Sequence, residues 1–259
     1  MRDQQGGYTV YWQPGCTSCL KTKEFLSHHR IEFESVNVRT DPAALERLTA
    51  LGARSIPVIV RGVDWTYGQD LDDVARFIGV GIDRARLPAA GLALRIERLL
   101  SAASRYTTDL SDSSLETLLP GRADRAAADL AWHIAMIVAG FVAAARGGCL
   151  SYDYFERRPT GADRGRTPLI AMQRSIAAQF ADWWQTEADR LPDTVDTYYG
   201  RRATATVLER TAWHVAQHVR QLESLLRQEG REPELPLTDA ELGGLPLPEG
   251  LWDPEIGQP

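Results

Sequence analysis

Two groups of side chains in this sequence have the types and spacing to do chemistry. Cys16 and Cys19 stand in "PGCTSC", and His214 and His218 stand four apart in "TAWHVAQHVRQLESLL". A C-x-x-C that follows a strand and opens a helix places its first thiol at the positive end of the helix dipole, among unpaired N–H groups. A thiolate is stabilised there, and the second thiol lies one turn on, within reach. Cys16 then attacks a disulfide and Cys19 resolves the mixed disulfide. The same spacing is also half of a zinc site, but no second C-x-x-C completes one. Lys21 and Lys23 either add positive potential or face solvent.

On a helix, positions i and i+4 differ by about 40° in azimuth, so His214 and His218 project from one face. Leu208, Val215, Val219, Leu222 and Leu226 turn that face toward an interior. The pair alone fits metal ligands or hydrogen-bonded core histidines. A third histidine, His133 in "ADLAWHIAMIVAGF", lies on a largely apolar stretch where an unpaired imidazole costs desolvation energy. Three imidazoles from two helices give a divalent ion three ligands and leave positions open, the pattern of a catalytic site. The other two histidines, His28 and His29, end the first helix and read as exposed. Gln217 and Gln221 flank the pair, as partners of the imidazoles or as outward polar residues. Trp132, Trp183, Trp184 and Trp213 line a pocket or fill the core. Cys149, Tyr152 and Tyr154 follow the second bundle helix, as substrate contacts or as loop packing.

The elements that must position these groups fall into two blocks. Residues 8–12 read as a strand and Thr17 to His28 as a helix. "IEFESVNV" alternates like a half-exposed strand, and Asp41-Pro42 opens a second helix. "IPVIVRGVDW" reads as two short strands joined at Arg61-Gly62, and a capped helix over 70–79 ends at Gly79. The order βαβαββα makes a small α/β unit with a mixed sheet. After Gly81 strand signals nearly vanish. Helices are predicted at about 88–110, 121–146, 167–190 and 202–229, an antiparallel four-helix bundle. The tail from Arg231 carries five prolines before its last residue, and its leucines and Trp252 predict that it wraps along the bundle.

Composition bounds the function. The chain has 259 residues, 44% hydrophobic and 25% charged, which argues against disorder and membrane embedding and for two domains. The longest apolar run, Leu130 to Ala145, is short for a bilayer and contains His133. A net charge of −6 gives no general attraction to nucleic acid or acidic lipid. Arg157, Arg158, Arg164 and Arg166 form either a local basic patch or a solvated loop. Three unevenly spaced cysteines make no disulfide framework. The first ten residues lack the basic and apolar segments of a secretory signal, which predicts the cytoplasm.

Residues 7 to 80, through "PGCTSCLKTK", "RSIPVIV" and "YGQDLDDVARFIG", resemble the glutaredoxin family within the thioredoxin fold, especially the small electron donors called NrdH redoxins. The resemblance implies that Pro57 is a cis-proline beside the dithiol and that Ile56 offers backbone hydrogen bonds to a bound thiol or peptide. It also implies that Gly68, Gln69 and Asp70 receive a carboxylate or amine of that thiol. The basic residue that many glutathione-using glutaredoxins carry just ahead of the motif is replaced by Gln13-Pro14, which counts against glutathione itself. From about residue 84 to 253 the chain resembles the DinB-like four-helix metalloproteins, through "DLAWHIAMIVAGF", "YYGRRATATVLERTAWHVAQHVRQLESLLRQEG" and "LTDAELGGLPLPEGLWD". Members bind Zn or another divalent ion through one histidine of the second helix and an HxxxH pair of the fourth, positions filled here by His133, His214 and His218. Several relatives use a low-molecular-weight thiol as transferases or isomerases.

The expectation is therefore a glutaredoxin-like thioredoxin-fold α/β domain over 1–82 and an all-α DinB-like four-helix metal-binding domain over 83–259 with a Pro-rich C-terminal tail. Its function would be thiol–disulfide exchange coupled to a metal-dependent thiol transferase or lyase. The cofactor would be a divalent metal, Zn above others, with a low-molecular-weight thiol, glutathione or an analogue, as co-substrate. Its partners would be a small-molecule thiol or thiol conjugate and a thiol-reducing system, with no nucleic acid and no membrane. A homodimer is one of the assemblies left open. The alternative reading is a disulfide reductase whose metal module is non-catalytic or redox-sensing.

Overall fold

The structure, a computed structural model, describes residues 7–82 and 84–256. Residues 1–6, over which the sequence argues against a secretory signal, Asp83, where the second domain is expected to begin, and 257–259 lie outside that range. By its internal contacts the chain divides into two units, Met1–Arg84 with Pro248–Pro259, and Ala85–Leu247.

The first unit follows the predicted order: β1 (Tyr8–Trp12), α1 (Thr17–His28), β2 (Phe33–Asn37), α2 (Ala44–Ala50), β3 (Val58–Arg61), β4 (Asp64–Tyr67) and α3 (Leu71–Ile78). The sheet order is β2-β1-β3-β4, with β1 and β2 parallel and the other pairs antiparallel. Alternation along β1 gives the sheet two apolar faces. Val10 packs with Leu26, Ile59 and Val74, whereas Tyr11 packs with Val36, Ala44, Leu48 and Val58. The β3–β4 hairpin turns over two residues, and Gly62 takes the positive φ that such a turn requires. Asp70 caps α3 through the N–H of Asp72, and Gly79 closes it in the left-handed region.

The end of the tail belongs to this unit, not to the helical one as the sequence suggested. The Glu24 carboxylate accepts the N–H groups of Glu249 (2.7 Å) and Gly250 (2.9 Å). Lys23, 5% exposed, donates to Asp253 (2.7 Å) and Glu255 (2.9 Å) and lies 3.6 Å from the centroid of a Trp12 ring. Ser35 Oγ donates to Glu255 at 2.6 Å. The solvent-facing alternative for Lys23 is thus overturned: its ammonium is buried against the Trp12 face and two carboxylates, and the carboxylates lie some 230 positions away in sequence. The earlier tail does lie on the helices, where the Tyr106 hydroxyl donates to Leu235 O (3.0 Å) and Arg95 to Gly243 O (2.9 Å).

The second unit is mostly helical: α4 (Ala89–Asp109), α5 (Asp112–Leu115), α6 (Ala127–Ala145), α7 (Asp153–Glu156), α8 (Arg166–Glu187), α9 (Thr204–Gln228) and α10 (Asp239–Leu242). The four long helices pack in a ring, α4 on α9 and α8, and α6 on α8 and α9. Ile96, Leu99, Ile134, Phe141, Phe180, Val215 and Leu222 are fully buried in this unit. Helix α6 is long and apolar enough to cross a membrane, and 78% of its most apolar window is buried inside the unit. Trp183 and Trp213 are core, with Trp183 against Phe141 and Phe180. One element departs from expectation, a three-stranded sheet of β5 (Cys149–Leu150), β6 (Thr194–Thr197) and β7 (Gly200–Ala203). Strands of two to four residues are too short to show a period of two in sequence.

Candidate functional site

Cys16 is the N-cap of α1, and its Sγ accepts a hydrogen bond from Cys19 N at 3.2 Å. The two sulfurs are joined as a disulfide, with Cα atoms 5.2 Å apart. Cys19 is wholly buried, whereas Cys16 is partly open to solvent. Of the two sulfurs, that of Cys16 is therefore the one an incoming group can approach.

The Ile56–Pro57 peptide is cis. Its loop is held from two sides: Gln69 Nε2 donates to Ile56 O (2.7 Å), and Gly68 N donates to Pro57 O (2.9 Å). Thr22 of α1 donates to Gly68 O at 2.9 Å, tying the dithiol helix to this loop. A Cβ on Gly68 would meet Thr22 Oγ1 at 2.5 Å and Pro57 Cγ at 2.7 Å, so the close approach requires glycine. Gly68, Gln69 and Asp70 thus act first as the frame of the cis-proline loop and the cap of α3. Gln69 Oε1 remains a buried acceptor with no hydrogen bond.

A disulfide on a helix N-terminus, in a thioredoxin-like mixed sheet with a cis-proline, defines a thiol–disulfide oxidoreductase domain. A glutaredoxin family model matches residues 8–64. The glutaredoxin-like protein NrdH of Lactococcus lactis subsp. lactis is 36% identical over 53 residues, 20% of this chain and 74% of that protein. NrdH of Escherichia coli is 36% identical over 59 residues, 22% of this chain and 73% of that protein, and NrdH of Salmonella typhimurium 37% over the same shares. No solved structure matches. The chain belongs to the glutaredoxin family, and its membership rests on the first unit.

In the second unit, packing of α6 on α9 brings His133, His214 and His218 together, with one ring nitrogen of each within 4.8 Å of the others. All three are at most 7% exposed. His218 Nδ1 donates to Gln221 Oε1 at 2.7 Å, which fixes the tautomer and leaves Nε2 with its lone pair. His133 Nδ1 is buried and makes no hydrogen bond. Burial holds His133 well below its usual pKa, with the charges of His218, Arg125, Arg210 and Arg122 acting in the same direction. Burial also lowers His218 to about 4, opposed by its bond to Gln221 and helped by Arg125. Neutral imidazoles with a buried, unbonded nitrogen are the donor set a divalent ion takes. Gln217 Oε1 accepts a hydrogen bond from Arg220 Nη1 at 2.7 Å.

The loop after α6 also reaches this place, through a residue the sequence reading passed over. The Phe155 ring centroid lies 5.6 Å from that of His133 and 5.8 Å from that of His214. Tyr152 touches Phe155 and Tyr198, whereas Tyr154 packs on Gly140 and under Arg157, and Cys149 is exposed. Arg210, one turn before His214 on α9, was legible as the i−4 neighbour on the same face. The basic run resolves into ion pairs: Arg158 with Asp124, Arg164 with Asp129 and Glu116, and Arg166 with Asp112. Those charges are locally compensated.

Proposed function

We propose that the chain joins a disulfide-reducing unit to a DinB-like metal-dependent unit that uses a low-molecular-weight thiol, as a transferase or lyase acting on electrophilic or sulfur-containing small molecules. The convergence of three buried histidines from α6 and α9 carries this reading. His133, His214 and His218 would hold a divalent ion, Zn above others. When bound, such an ion supplies the Lewis acidity that turns a thiol into a thiolate at neutral pH. Around it, Gln221 keeps His218 in the ligating tautomer, and Phe155 covers the His133 and His214 rings from water.

In the first unit, the Cys16 thiolate attacks a substrate disulfide, displacing one thiolate, which takes up a proton. Cys19 then attacks Cys16 Sγ and expels the second thiol. The substrate gains two electrons, and the pair ends as the Cys16–Cys19 disulfide, to be reduced by a cellular thiol-reducing system. Such a cycle belongs in a reducing compartment, the cytoplasm.

Elemental analysis of the full chain, repeated for His133→Ala, His214→Ala and His218→Ala, tests the metal reading. Stoichiometric metal in the parent, lost in every variant, is expected. A parent that retains no Zn, Co or Mn after loading refutes it. Disulfide reduction is expected to vanish in Cys16→Ser and to persist in the histidine variants.

A further inference from the structure

The helical unit holds a pocket of about 420 Å3 that shares no lining residue with the histidine cluster. Three elements wall it: α4 through Leu100, Arg105 and Asp109, α8 through Arg174, and the tail through Glu234 and Leu235. These walls are tied to one another. Helix α4 packs on α8. The Tyr106 hydroxyl donates to Leu235 O at 3.0 Å, and Leu237 N donates to the buried Glu223 carboxylate at 3.2 Å. The tail is therefore fixed against the helices, and the space it bounds is a built part of the unit. Its size falls within the range of small-molecule sites, ~300–1,000 Å3.

Four charged side chains line this pocket, and their signs balance. Arg105 and Arg174 bring guanidiniums, Asp109 and Glu234 carboxylates. Opposite charges around one space ordinarily pair, yet among the described residues none of these four forms an ion pair. Arg105 donates from Nη1 to Ser101 Oγ at 3.1 Å, and its Nε is buried with no hydrogen bond. Arg174, Asp109 and Glu234 are exposed, so each can turn toward a guest. Leu235 is 57% exposed beside them, an apolar surface that a guest's side chain can cover. A dianion such as phosphate gains two guanidiniums but meets two carboxylates, and a simple cation meets the reverse. A molecule with one carboxylate and one ammonium satisfies both signs, its carboxylate taking planar donor forks from two separate helices.

We infer that this pocket binds a zwitterion of about dipeptide size with apolar side chains. Its carboxylate is held by Arg105 and Arg174, its ammonium by Asp109 and Glu234, and its side chains rest on Leu100 and Leu235. The inference is independent of the metal reading, because none of the three histidines lines the pocket. Removing either charge from the ligand leaves one pair of side chains without its counter-charge and weakens binding.

The test is calorimetric titration of the full chain with L-leucyl-L-leucine, with N-acetyl-leucyl-leucine, which lacks the ammonium, and with leucyl-leucinamide, which lacks the carboxylate. The zwitterion is expected to bind at least about tenfold tighter than either, the ratio set by one charge-assisted hydrogen bond. Arg174→Gln should weaken leucyl-leucine about tenfold and leave leucyl-leucinamide unchanged, whereas Glu234→Gln should weaken leucyl-leucine and leave the acetylated peptide unchanged. Both positions are exposed, so these two variants carry the test if the half-buried Arg105→Gln fails to fold by circular dichroism. No binding of leucyl-leucine, equal affinity for the three peptides, or affinity that survives in Arg174→Gln overturns the inference. Binding lost after chelator treatment places the peptide on a metal ion and overturns it as well. Inorganic phosphate binding more tightly than leucyl-leucine, and lost in Arg174→Gln, makes the pocket a plain anion site and also overturns it.

Discussion

Acidification should unfold the metal-free helical unit through His218. The folded pKa of about 4 lies below the ordinary 6.5 because the imidazole is buried, so the unfolded chain takes the proton first as pH falls. Stability from this residue is therefore flat above about pH 6.5, declines toward pH 4, and is fully lost below that. The whole window is worth roughly 3 kcal/mol, and at about pH 5 the loss is already roughly 2 kcal/mol relative to neutrality. His133, shifted in the same direction by its own burial, steepens the decline. The assay is urea unfolding of chelator-treated protein, followed by far-ultraviolet circular dichroism, which the long helices dominate. The urea midpoint of the parent should fall between about pH 7.5 and pH 5, and that of His218→Gln should fall less, by the share assigned to this residue. Equal midpoint shifts in parent and variant would refute the argument that burial of neutral His218 shapes this unit. Saturating Zn should flatten the parent's profile, because metal holds the imidazole in its unprotonated form.

Two further expectations concern the first unit. Asp253→Ala leaves Lys23 buried with Glu255 and the Trp12 face, so it should cost about 2 kcal/mol, below the ~3–5 of a wholly uncompensated buried charge. A double-mutant cycle with Lys23→Ala should give a coupling energy above ~1 kcal/mol, and additivity within ~0.5 kcal/mol would sink the pairing as a stabilising contact. Gly68→Ala should lower stability by about 1–3 kcal/mol through overpacking against Thr22 and Pro57. It should also slow reduction of a small disulfide such as hydroxyethyl disulfide, and an unchanged rate with an unchanged urea midpoint would show that the contact yields freely.

What could be read from the residues divides by range. The dithiol helix, its Cys16 cap, the Gly79 stop and the βαβαββα order are local, and each is written in residues within a few positions of its effect. The three histidines could be picked out by type, yet their approach depends on how α6 packs on α9, which no spacing encodes. Phe155 gave no signal because a phenylalanine in a loop looks like ordinary packing, and Arg125 because its place depends on the turn before α6. The four-residue strands β6 and β7 were invisible for want of length. The end of the tail was misplaced because its leucines and Trp252 say only that they need cover, whereas Lys23 and Glu24, the residues that receive it, lie at the opposite end of the sequence.

That docking of residues 249–255 has a consequence for how the molecule is made. The ribosome releases the β1 to α3 segment early, while Lys23 still lacks Asp253 and Glu255 and Glu24 still lacks the N–H groups of residues 249 and 250. The redox unit therefore emerges first and finishes last, after the whole helical unit has been synthesised between its two pieces. Until then its dithiol helix carries a lysine in search of carboxylates, and translation order itself delays the mature surface around that helix.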